Sequence, residues 1–429
     1  MKTDITEYNE FVKKLKSDLE SFHTAPKQSW IEVATRNVDG LASEELRRLV
    51  SLEKRRKHGA FFTNTSLANK VLLELQPLFN NESLIYDPAC GAGNLLISIS
   101  NYVSDLNLNI ETQLFGTDIH KEFVEATRLR LMTNFLLKET TCCDYIFNNQ
   151  RNKKYQIEES SGLLKNKFYD KATHIFVNPP FNQIDFNEKL SWAKGKVSAA
   201  AIFIDRIIKN AKPGVSIIAI LPDVLRSGSR YGKWREMIKN ECEIEKLVLL
   251  GQFDKYADVD VFAIALKKNI LTSSKKNKKS KLELESRSKN TIQDIFKVCV
   301  GPVVDNRDEH LGRRRGYIVS KKLLGWSVLT KYDHTRRYQG RYFKAPFVVI
   351  KRTSRMGDSQ RAIATIINTP NPVFVDNHLI VLQPRSGKME ECQKVLKVLK
   401  DKRTDDWLND KIRCRHLTTT VVSKIPFWL

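Results

Sequence analysis

Short apolar runs alternate with amphipathic stretches from about residue 59 to residue 270. The runs end in polar or turn residues, as buried strands do, and they lie at 83–87, 112–118, 173–178 and 215–222. The stretches between them have the apolar spacing of helices and lie at 94–104, 121–136, 197–211 and 230–240. Strands that alternate with helices predict an α/β domain whose mostly parallel sheet is covered on both faces. Two further runs follow each other without a helix, at 245–250 and 260–266, and predict one antiparallel member.

The segments on either side of this domain have different patterns. Residues 1–58 predict a polar helical segment, in which "ELRRLVSLEKRRKHG" has helical apolar spacing and stops at Gly59. Its basic run, 54–57, is interpreted as a solvated helix end, with phosphate contact as the alternative. Within the α/β domain, residues 148–172 are polar and have no period, so we predict a long loop there.

The chain beyond the α/β domain predicts a linker and a second domain. Residues 271–289 contain seven Lys and Arg against two Glu and many serines, which favours a linker. Residues 290–429 contain irregular apolar runs and frequent turns, which favour a separate, strand-rich domain. A chain of 429 residues is long enough for two or three such units.

The net charge of the chain is the feature that says most about its binding partner. The formal net charge is +23, and residues 290–429 alone carry 27 Lys and Arg against 13 Asp and Glu. A surplus of this size predicts a polyanionic partner, most simply nucleic acid. The alternatives are a surface that favours solubility and a weak affinity for membrane surfaces.

Other features of the composition exclude several protein classes. "MKTDITEYNE" leads into no apolar signal core, and no apolar run reaches the roughly 18 residues of a membrane span, so we expect no membrane association. Seven cysteines, with Cys142 and Cys143 adjacent and no CxxC pair, argue against a disulfide framework and against a zinc or other metal site. A reducing cytoplasm is the predicted location.

The stretch "YDPACGAGNLL" (86–96) predicts a small-molecule pocket. Gly91 and Gly93 form a turn between a strand and a helix, where backbone can approach a ligand closely. Leu96 stands where the dinucleotide fingerprint has its third glycine. Asp87, before the turn, would repel a pyrophosphate but suits an ammonium or a sulfonium, and Asp118 ends the next strand, where a carboxylate accepts ribose hydroxyls. Together these features fit S-adenosylmethionine; the alternative is an ordinary strand–helix corner.

The stretch "IFVNPPFN" (175–182) predicts a rigid polar corner at the end of a buried strand. Asn178 precedes proline and is therefore driven towards an extended backbone. Pro179 and Pro180 have fixed φ and no N–H, so the carbonyls of the turn remain available to outside donors. Phe181 is predicted to be an exposed ring on which a nucleobase stacks, a contact of about 1–3 kcal/mol. The alternative is a Pro-Pro turn that merely caps a strand.

Such a corner suits the chemistry of an aromatic amine. The lone pair of an amine such as adenine N6 is delocalised into its ring, which makes the nitrogen a poor nucleophile. The side-chain oxygen of Asn178 and the carbonyl of Pro179 can each accept one N–H, which favours tetrahedral geometry and localises the lone pair. Orientation and fixed dipoles, rather than a strong base, would supply most of the rate.

"DPACGAGNLL", Asp118 and "NPPF" (178–181), in this order before a basic C-terminal domain, resemble the gamma-class N6-adenine DNA methyltransferases of restriction–modification systems. The resemblance implies a Rossmann-like, seven-stranded sheet that binds S-adenosylmethionine (59–270) and a C-terminal target-recognition domain (290–429). It also implies double-stranded DNA as substrate and an adenine flipped out of the helix. A separate restriction endonuclease as partner remains open.

The resemblance also implies roles for individual residues. "GAFFTNTSLANKVL" (59–72) is similar to the family's first cofactor motif, although Asn64 replaces its usual proline. Phe253 is the implied second aromatic face for the target adenine, beside the corner Asn178, Pro179, Pro180 and Phe181. The implied cofactor residues are Phe61, Phe62, Thr63, Asp87, Pro88, Ala89, Gly91, Gly93, Asp118, Ile119, Asp144 and Asn178.

The basic C-terminal residues are candidates for DNA contacts. The commonest contact of this kind to a base is an arginine that hydrogen-bonds to guanine. The candidates are Arg313, Arg314, Arg315, Arg336, Arg337, Lys351 and Arg352. Three other functions stay open. A protein-glutamine methyltransferase would use a similar Asn-Pro-Pro corner, an RNA amine is a second possible acceptor, and a non-catalytic DNA-binding subunit is the third.

Overall fold

The computed structural model describes residues 5–24, 27–108, 113–142, 155–186, 188, 190–254, 257–270, 290–354, 358, 360–412 and 416–428. The chain divides into two compact units. One consists of Met1–Arg226 with Arg230–Lys278, and the other of Ser227–Ser229 with Lys279–Leu429. The predicted linker, 271–289, lies outside the described residues.

The described part of the first unit begins with a series of α-helices: α1 (Asn9–Glu20), α2 (Lys27–Val38), α3 (Leu41–Leu49), α4 (Leu52–His58) and α5 (Thr65–Leu75). The predicted helix stop at Gly59 is confirmed, because this residue closes α4 with a left-handed φ of +64°. The stretch before it is two helices, because Ser51 starts α4 by accepting a hydrogen bond from the Lys54 N–H. Arg55 is buried and donates to the Val50 carbonyl, so the basic run is not wholly solvated.

The rest of the first unit alternates strands and helices as the sequence predicts. Its elements are β1 (Ile85–Asp87), α6 (Asn94–Asp105), β2 (Leu114–Asp118), α7 (Lys121–Cys142), β3 (Gln156–Glu159), α8 (Lys167–Lys171), β4 (His174–Val177), β5 (Gln183–Ile184), β6 (Val197–Ser198), α9 (Ala199–Asn210), β7 (Ser216–Pro222), α10 (Asp223–Ser227), α11 (Gly232–Glu241), β8 (Cys242–Asp254) and β9 (Ala257–Lys268). Seven strands form one sheet in the order β3-β2-β1-β4-β7-β9-β8. β9 pairs antiparallel with both neighbours and the other pairs are parallel. The predicted seven-stranded, mostly parallel sheet is confirmed.

Side chains of the central strands alternate between two cores, one on each face of the sheet. Tyr86 and Ile175 point into a core with α8, α9 and α11. Ile85 and Phe176, their chain neighbours, point into a core with α5, α6 and α7. Because helices cover both faces, the central strands are mostly buried and appear in the sequence as short apolar runs that end in polar residues.

The prediction of a loop over 148–172 is wrong for part of that range. Residues 156–159 form β3 and residues 167–171 form α8, while 148–154 lie outside the described residues. β3 is an edge strand in which only Ile157 is fully buried, so it has no apolar run to detect. A Cβ added to Gly162 would lie 1.9 Å from the Pro88 carbonyl oxygen, so this stretch runs directly against the turn after β1.

The second unit is strand-rich, as predicted, and contains helices that the sequence reading did not identify. Its strands are β10 (Phe296–Val300), β11 (Arg313–Ile318), β12 (Val328–Leu329), β13 (Thr335–Tyr338), β14 (Phe347–Lys351), β15 (Ala364–Ile367), β16 (Val373–Val375) and β17 (Leu379–Pro384). Its helices are α12 (Ile292–Ile295), α13 (Met389–Lys400), α14 (Lys402–Lys411) and α15 (Thr419–Ser423).

Two sheets build the core of the second unit. The order is β10-β17-β14-β15-β12 in the larger sheet and β13-β11-β16 in the smaller one. One face of the larger sheet, with Val348 and Ile350, packs on α13, α14 and α15. The other face, with Val349 and Val381, packs on residues of β11 and β16. Within the described part of the chain, no helix combines the length and the apolar character that crossing a membrane requires.

Candidate active site

Three predicted site positions lie at the carboxyl ends of neighbouring parallel strands. Asp87 ends β1, Asp118 ends β2, and Asn178 directly follows β4. Because β1 pairs with both β2 and β4, the three positions meet at one edge of the sheet. Open α/β sheets bind their ligands at this edge.

Gly91 and Gly93 shape the turn between β1 and α6, and both have left-handed φ angles, +54° and +81°. A Cβ added to Gly91 would lie 2.8 Å from the Phe62 ring, so glycine is what allows this ring to pack against the turn. On the other side, the Thr127 hydroxyl donates to the Gly91 carbonyl at 2.7 Å. The turn is thus held between the predicted aromatic loop and α7.

Asp118 holds the same turn from the end of β2. Its Oδ2 accepts from the Gly91 N–H at 3.0 Å, and its Oδ1 accepts from the His120 N–H at 2.9 Å. Burial raises the pKa of Asp118 to about 6, although these backbone donors oppose the shift. A carboxylate has about four lone-pair sites, so both oxygens retain capacity for ligand hydroxyls. Ile119, the next predicted residue, is exposed beside it.

Asp87 is the more strongly perturbed carboxyl. Burial, with a smaller contribution from the nearby Asp118 charge, raises its pKa to about 8, while the Ala89 N–H, 2.9 Å from Oδ1, opposes the shift. Pro88 is buried and Ala89 is half-buried in the same turn. A buried carboxyl without a cationic partner strongly favours its neutral form. A cation bound beside Asp87 would favour the carboxylate instead.

The Asn178 side-chain amide is hydrogen-bonded through its nitrogen and, within the described part of the chain, unpaired at its oxygen. Its Nδ2 donates to the Thr63 hydroxyl at 2.8 Å and to the Phe61 carbonyl at 3.4 Å. Its Oδ1 is buried and has no hydrogen-bond partner among the described residues. Unpaired buried acceptors are rare and costly in native proteins. This oxygen is therefore a ready acceptor for a donor that the chain itself does not supply.

The two predicted aromatic faces pack on each other. Phe181 is half-buried rather than exposed, and Phe253 is only 2% exposed. Their ring centroids are 5.4 Å apart with an interplanar angle of 75°, an edge-to-face contact. The prediction of an exposed Phe181 is wrong, because both rings join the apolar core beside the sheet. In this conformation there is no space for a base between the rings.

Asn64, the departure from the family's proline, caps the helix after the aromatic loop. Its Oδ1 accepts from the Leu67 N–H at 2.7 Å and starts α5. Its Nδ2 donates to the Phe253 carbonyl at 3.4 Å, a bond that proline cannot make. The substitution therefore ties this loop to the end of β8. Asp144, another predicted cofactor residue, lies outside the described residues.

Sequence reasoning missed two residues beneath the turn, Asn94 and Arg130. The Asn94 Nδ2 donates to the Thr63 carbonyl at 2.7 Å, and its Oδ1 accepts from Arg130. Arg130, on α7, is fully buried, and burial lowers its pKa to about 10, so it stays charged at neutral pH. Its other acceptors are the Ala92 carbonyl and carbonyls at the end of α2. Arg130 is one of two arginines on the mixed polar and apolar α7, so the sequence did not distinguish it from the exposed Arg128.

The candidate DNA-contacting arginines of the second unit differ in burial and in their ion pairs. Arg336 is buried and paired with Asp305, so it is a structural residue rather than a free phosphate ligand. Arg314 and Arg337 are exposed and stand directly opposite each other on β11 and β13. Like charges at opposed positions are unfavourable, and an anion bound between them would relieve the repulsion.

The remaining candidates in this unit differ in exposure. Arg313 is exposed, whereas Lys351 and Arg352 are half-buried. The half-buried Arg315 stacks on the Tyr342 ring at 4.3 Å.

Residues 40–294 match the family model described as N-6 DNA Methylase. This range is more than half of the chain and contains every described site residue of the first unit. The uncharacterized protein YtxK of Bacillus subtilis (strain 168) is 25% identical over 189 residues, which are 43% of this chain and 49% of YtxK. The match thus spans about half the length of this curated relative.

Two solved restriction–modification proteins resemble the structure. The type IIL restriction–modification enzyme MmeI, solved in complex with DNA, has a TM-score of 0.58 and 11% identity, covering 90% of this chain and 70% of MmeI. The M protein of the type I restriction enzyme EcoKI has a TM-score of 0.37 and 17% identity, covering 62% of this chain and 64% of that protein. The MmeI likeness shows a shared fold over more of the chain than the first unit contains.

Proposed function

Because the chain belongs to the N-6 DNA methylase family, we propose that it is a site-specific DNA adenine-N6 methyltransferase of the gamma class. In this proposal it transfers a methyl group from S-adenosylmethionine to an adenine flipped out of double-stranded DNA. We further propose that it is the modification enzyme of a restriction–modification system.

The observation that carries the proposal is the unpartnered Oδ1 of Asn178. It lies at the end of a parallel strand, in a corner stiffened by Pro179 and Pro180, where an exocyclic amine can donate one N–H to it. The Pro179 carbonyl is the proposed acceptor for the second N–H. Because proline fixes φ and lacks an N–H, the two oxygens need little reorganisation when the amine arrives.

The glycine turn fits the proposed cofactor. The buried Asp87 has no cationic partner among the described residues, which suits a ligand with an ammonium and a sulfonium. Asp118 already orients the Gly91 backbone and retains lone pairs for the ribose. Phe62 closes the turn with an apolar ring. When bound, S-adenosylmethionine supplies an activated methyl group.

Residues of the chain would act by orientation and polarisation. Two acceptors on the amine hydrogens draw nitrogen towards tetrahedral geometry, so its lone pair leaves the ring system and becomes nucleophilic. The carboxamide stays neutral and cannot take up the proton that the nitrogen loses on methylation, so this proton leaves to solvent and transfer depends on orientation and fixed dipoles. Insertion of the base between Phe181 and Phe253 requires the two rings to separate, because they are in contact.

The second unit is the proposed DNA-binding part. Its exposed basic positions, above all the opposed Arg314 and Arg337, suit the phosphate backbone, which supplies most of the affinity of DNA-binding proteins. Base flipping costs a few kcal/mol, so contacts of this kind must hold the duplex while one adenine leaves the stack.

The decisive experiment replaces Asn178 with alanine in the full chain. Transfer of labelled methyl groups to unmodified genomic DNA would be measured, and the product identified as N6-methyladenine by mass spectrometry of nucleosides. Asn178→Ala should lower transfer at least about 100-fold, comparable to loss of one oxyanion-hole donor, while S-adenosylmethionine still binds.

The matched control is Asn182→Ala on the same corner, whose buried Oδ1 is likewise unpartnered among the described residues. The amine-acceptor role belongs to Asn178 only if Asn182→Ala retains transfer. If Asn182→Ala lost methyl transfer and Asn178→Ala retained it, the assignment of the amine acceptor to Asn178 would be wrong. Wild-type protein that methylates no DNA would refute the proposal as a whole.

A further inference from the structure

A continuous series of hydrogen bonds connects the end of α2 with the Asn178 amide. We propose that Arg130, Asn94 and Thr63, here called the amide relay, are positioning residues that fix which end of this amide faces the amine. The inference rests on the proposed function, because it concerns how the same catalytic corner is set. None of the three was expected to act on Asn178, and Thr63 was expected only to line the cofactor pocket.

The donor and acceptor ends of the two amides follow from neighbouring groups that can only donate or only accept a hydrogen bond. A guanidinium can only donate, so the Asn94 atom that faces Arg130 must be its oxygen. The Asn94 nitrogen must then face the other way, where the Thr63 carbonyl accepts it at 2.7 Å. Asn94 therefore holds the loop that carries Thr63 and cannot flip without losing both bonds.

The same logic fixes the Asn178 amide. The Phe61 carbonyl can only accept, so the Asn178 atom that faces it must be nitrogen. The Thr63 hydroxyl accepts from the same nitrogen at the shorter distance of 2.8 Å. Since the nitrogen is held by this loop, the oxygen is directed away from it and remains buried and unpaired.

The far end of the amide relay lies in the N-terminal helices. The Arg130 guanidinium donates to the carbonyls of Asn37, Val38 and Asp39, at 2.7, 3.0 and 3.0 Å. These carbonyls belong to the last turn of α2 and the residue after it, and such groups have no partner within a helix. A cation at a helix C-terminus is also electrostatically favourable. The N-terminal segment thereby contributes directly to the placement of Thr63.

The orientation of the Asn178 amide decides whether it can accept a hydrogen bond from the target amine. A flipped Asn178 would present an NH₂ group to the amine, so two donors would face each other and the nitrogen lone pair would remain delocalised. Positional errors of about 1 Å cost on the order of 100-fold in rate. The amide relay should therefore affect the transfer step itself more than the binding of DNA or cofactor.

The test compares Thr63→Val, which removes the hydroxyl at nearly constant volume, with Thr63→Ser, which keeps it. Single-turnover methyl transfer would be measured at saturating S-adenosylmethionine and DNA, with both dissociation constants determined separately. We expect Thr63→Val to be about 10- to 100-fold slower than wild type, and Thr63→Ser at least 10-fold faster than Thr63→Val. Equal rates for Val and Ser would overturn the proposal, as would a loss confined to cofactor affinity.

A double-mutant cycle tests whether the residues act in series. Arg130→Lys alone and combined with Thr63→Val should give losses in the single-turnover rate that are clearly less than multiplicative, because either change already weakens the same hydrogen bond between Thr63 and the amide. Multiplicative losses would mean independent roles and would refute the amide relay. If Thr63→Val does not fold, Asn94→Asp takes its place, since it keeps the acceptor for Arg130 and removes the donor to the Thr63 carbonyl.

The results that would refute the amide relay can be distinguished from those that would refute the proposed function. A wild-type protein that transfers no methyl group to DNA would refute the enzyme assignment. An active wild type whose Thr63→Val and Thr63→Ser variants do not differ would leave the assignment intact and remove the amide relay alone.

Discussion

Replacing Asp87 with asparagine should stabilise the folded protein at neutral pH and weaken cofactor binding at the same time. The folded-state pKa of Asp87 is raised to about 8, mainly by burial, whereas an unfolded aspartate titrates near 3.9. Between these values the folded state retains a proton that the unfolded state releases. The stability from this carboxyl is complete below pH 4 and is lost as the pH rises towards 8.

The size of the effect follows from the two pKa values. Each pH unit between them lowers the free energy of unfolding by about 1.4 kcal/mol. The loss between pH 5 and pH 7 is therefore at most about 3 kcal/mol for this one group. The substituted asparagine would carry no titrating proton, and its side-chain oxygen can still accept from the Ala89 N–H. The stability difference between variant and wild type should thus grow steadily over this range.

Urea-induced unfolding of wild type and Asp87→Asn, compared at matched pH from 4 to 8, would measure this difference. The acid end is the internal control, because both proteins are then neutral at this position. Parallel stability curves from pH 5 to 7 would refute the assignment of a buried neutral carboxyl. In the same samples the variant should bind S-adenosylmethionine at least about 10-fold more weakly, since the partner for the cationic half is gone.

Two further substitutions separate the roles of the catalytic corner and the basic second unit. Phe181→Ala should slow methyl transfer more than it weakens DNA binding, because phosphate contacts dominate affinity; equal losses in the two assays would count against stacking. Arg337→Ala should reduce the slope of log affinity for DNA against log salt concentration by about 1, and the slope should stay unchanged for the control Lys394→Ala, whose charge is already paired with Glu390 on α13. If the slope were unchanged in Arg337→Ala, Arg337 and the opposed Arg314 would not be part of the proposed DNA interface.

Much of the first unit could be predicted from sequence because its central strands are buried on both faces. Asp87, Asp118 and Asn178 stand where apolar runs end, and the parallel order of the strands brings those ends together. The glycine turn was visible for the same reason. The family match over residues 40–294 confirms the methylase family. The gamma class and the individual residue roles stay predictions.

Features that depend on distant backbone could not be predicted. Most acceptors of Arg130 are main-chain carbonyls, including three about 90 positions earlier in the chain, and carbonyls leave no trace in the sequence. The contact between Phe181 and Phe253 also joins distant segments. β3 was missed because an edge strand with one buried residue has no periodic pattern.

The buried guanidinium of Arg130 limits where this chain can be cut. A fragment starting at residue 59 looks natural from the sequence, but it would remove three carbonyl acceptors of the buried Arg130 guanidinium and leave its charge exposed on α7. It would also expose apolar side chains of α7 that pack on the N-terminal helices, among them Phe123, Ala126 and Leu136. Shortened enzymes and chimaeras built on this scaffold must therefore carry α2 with them.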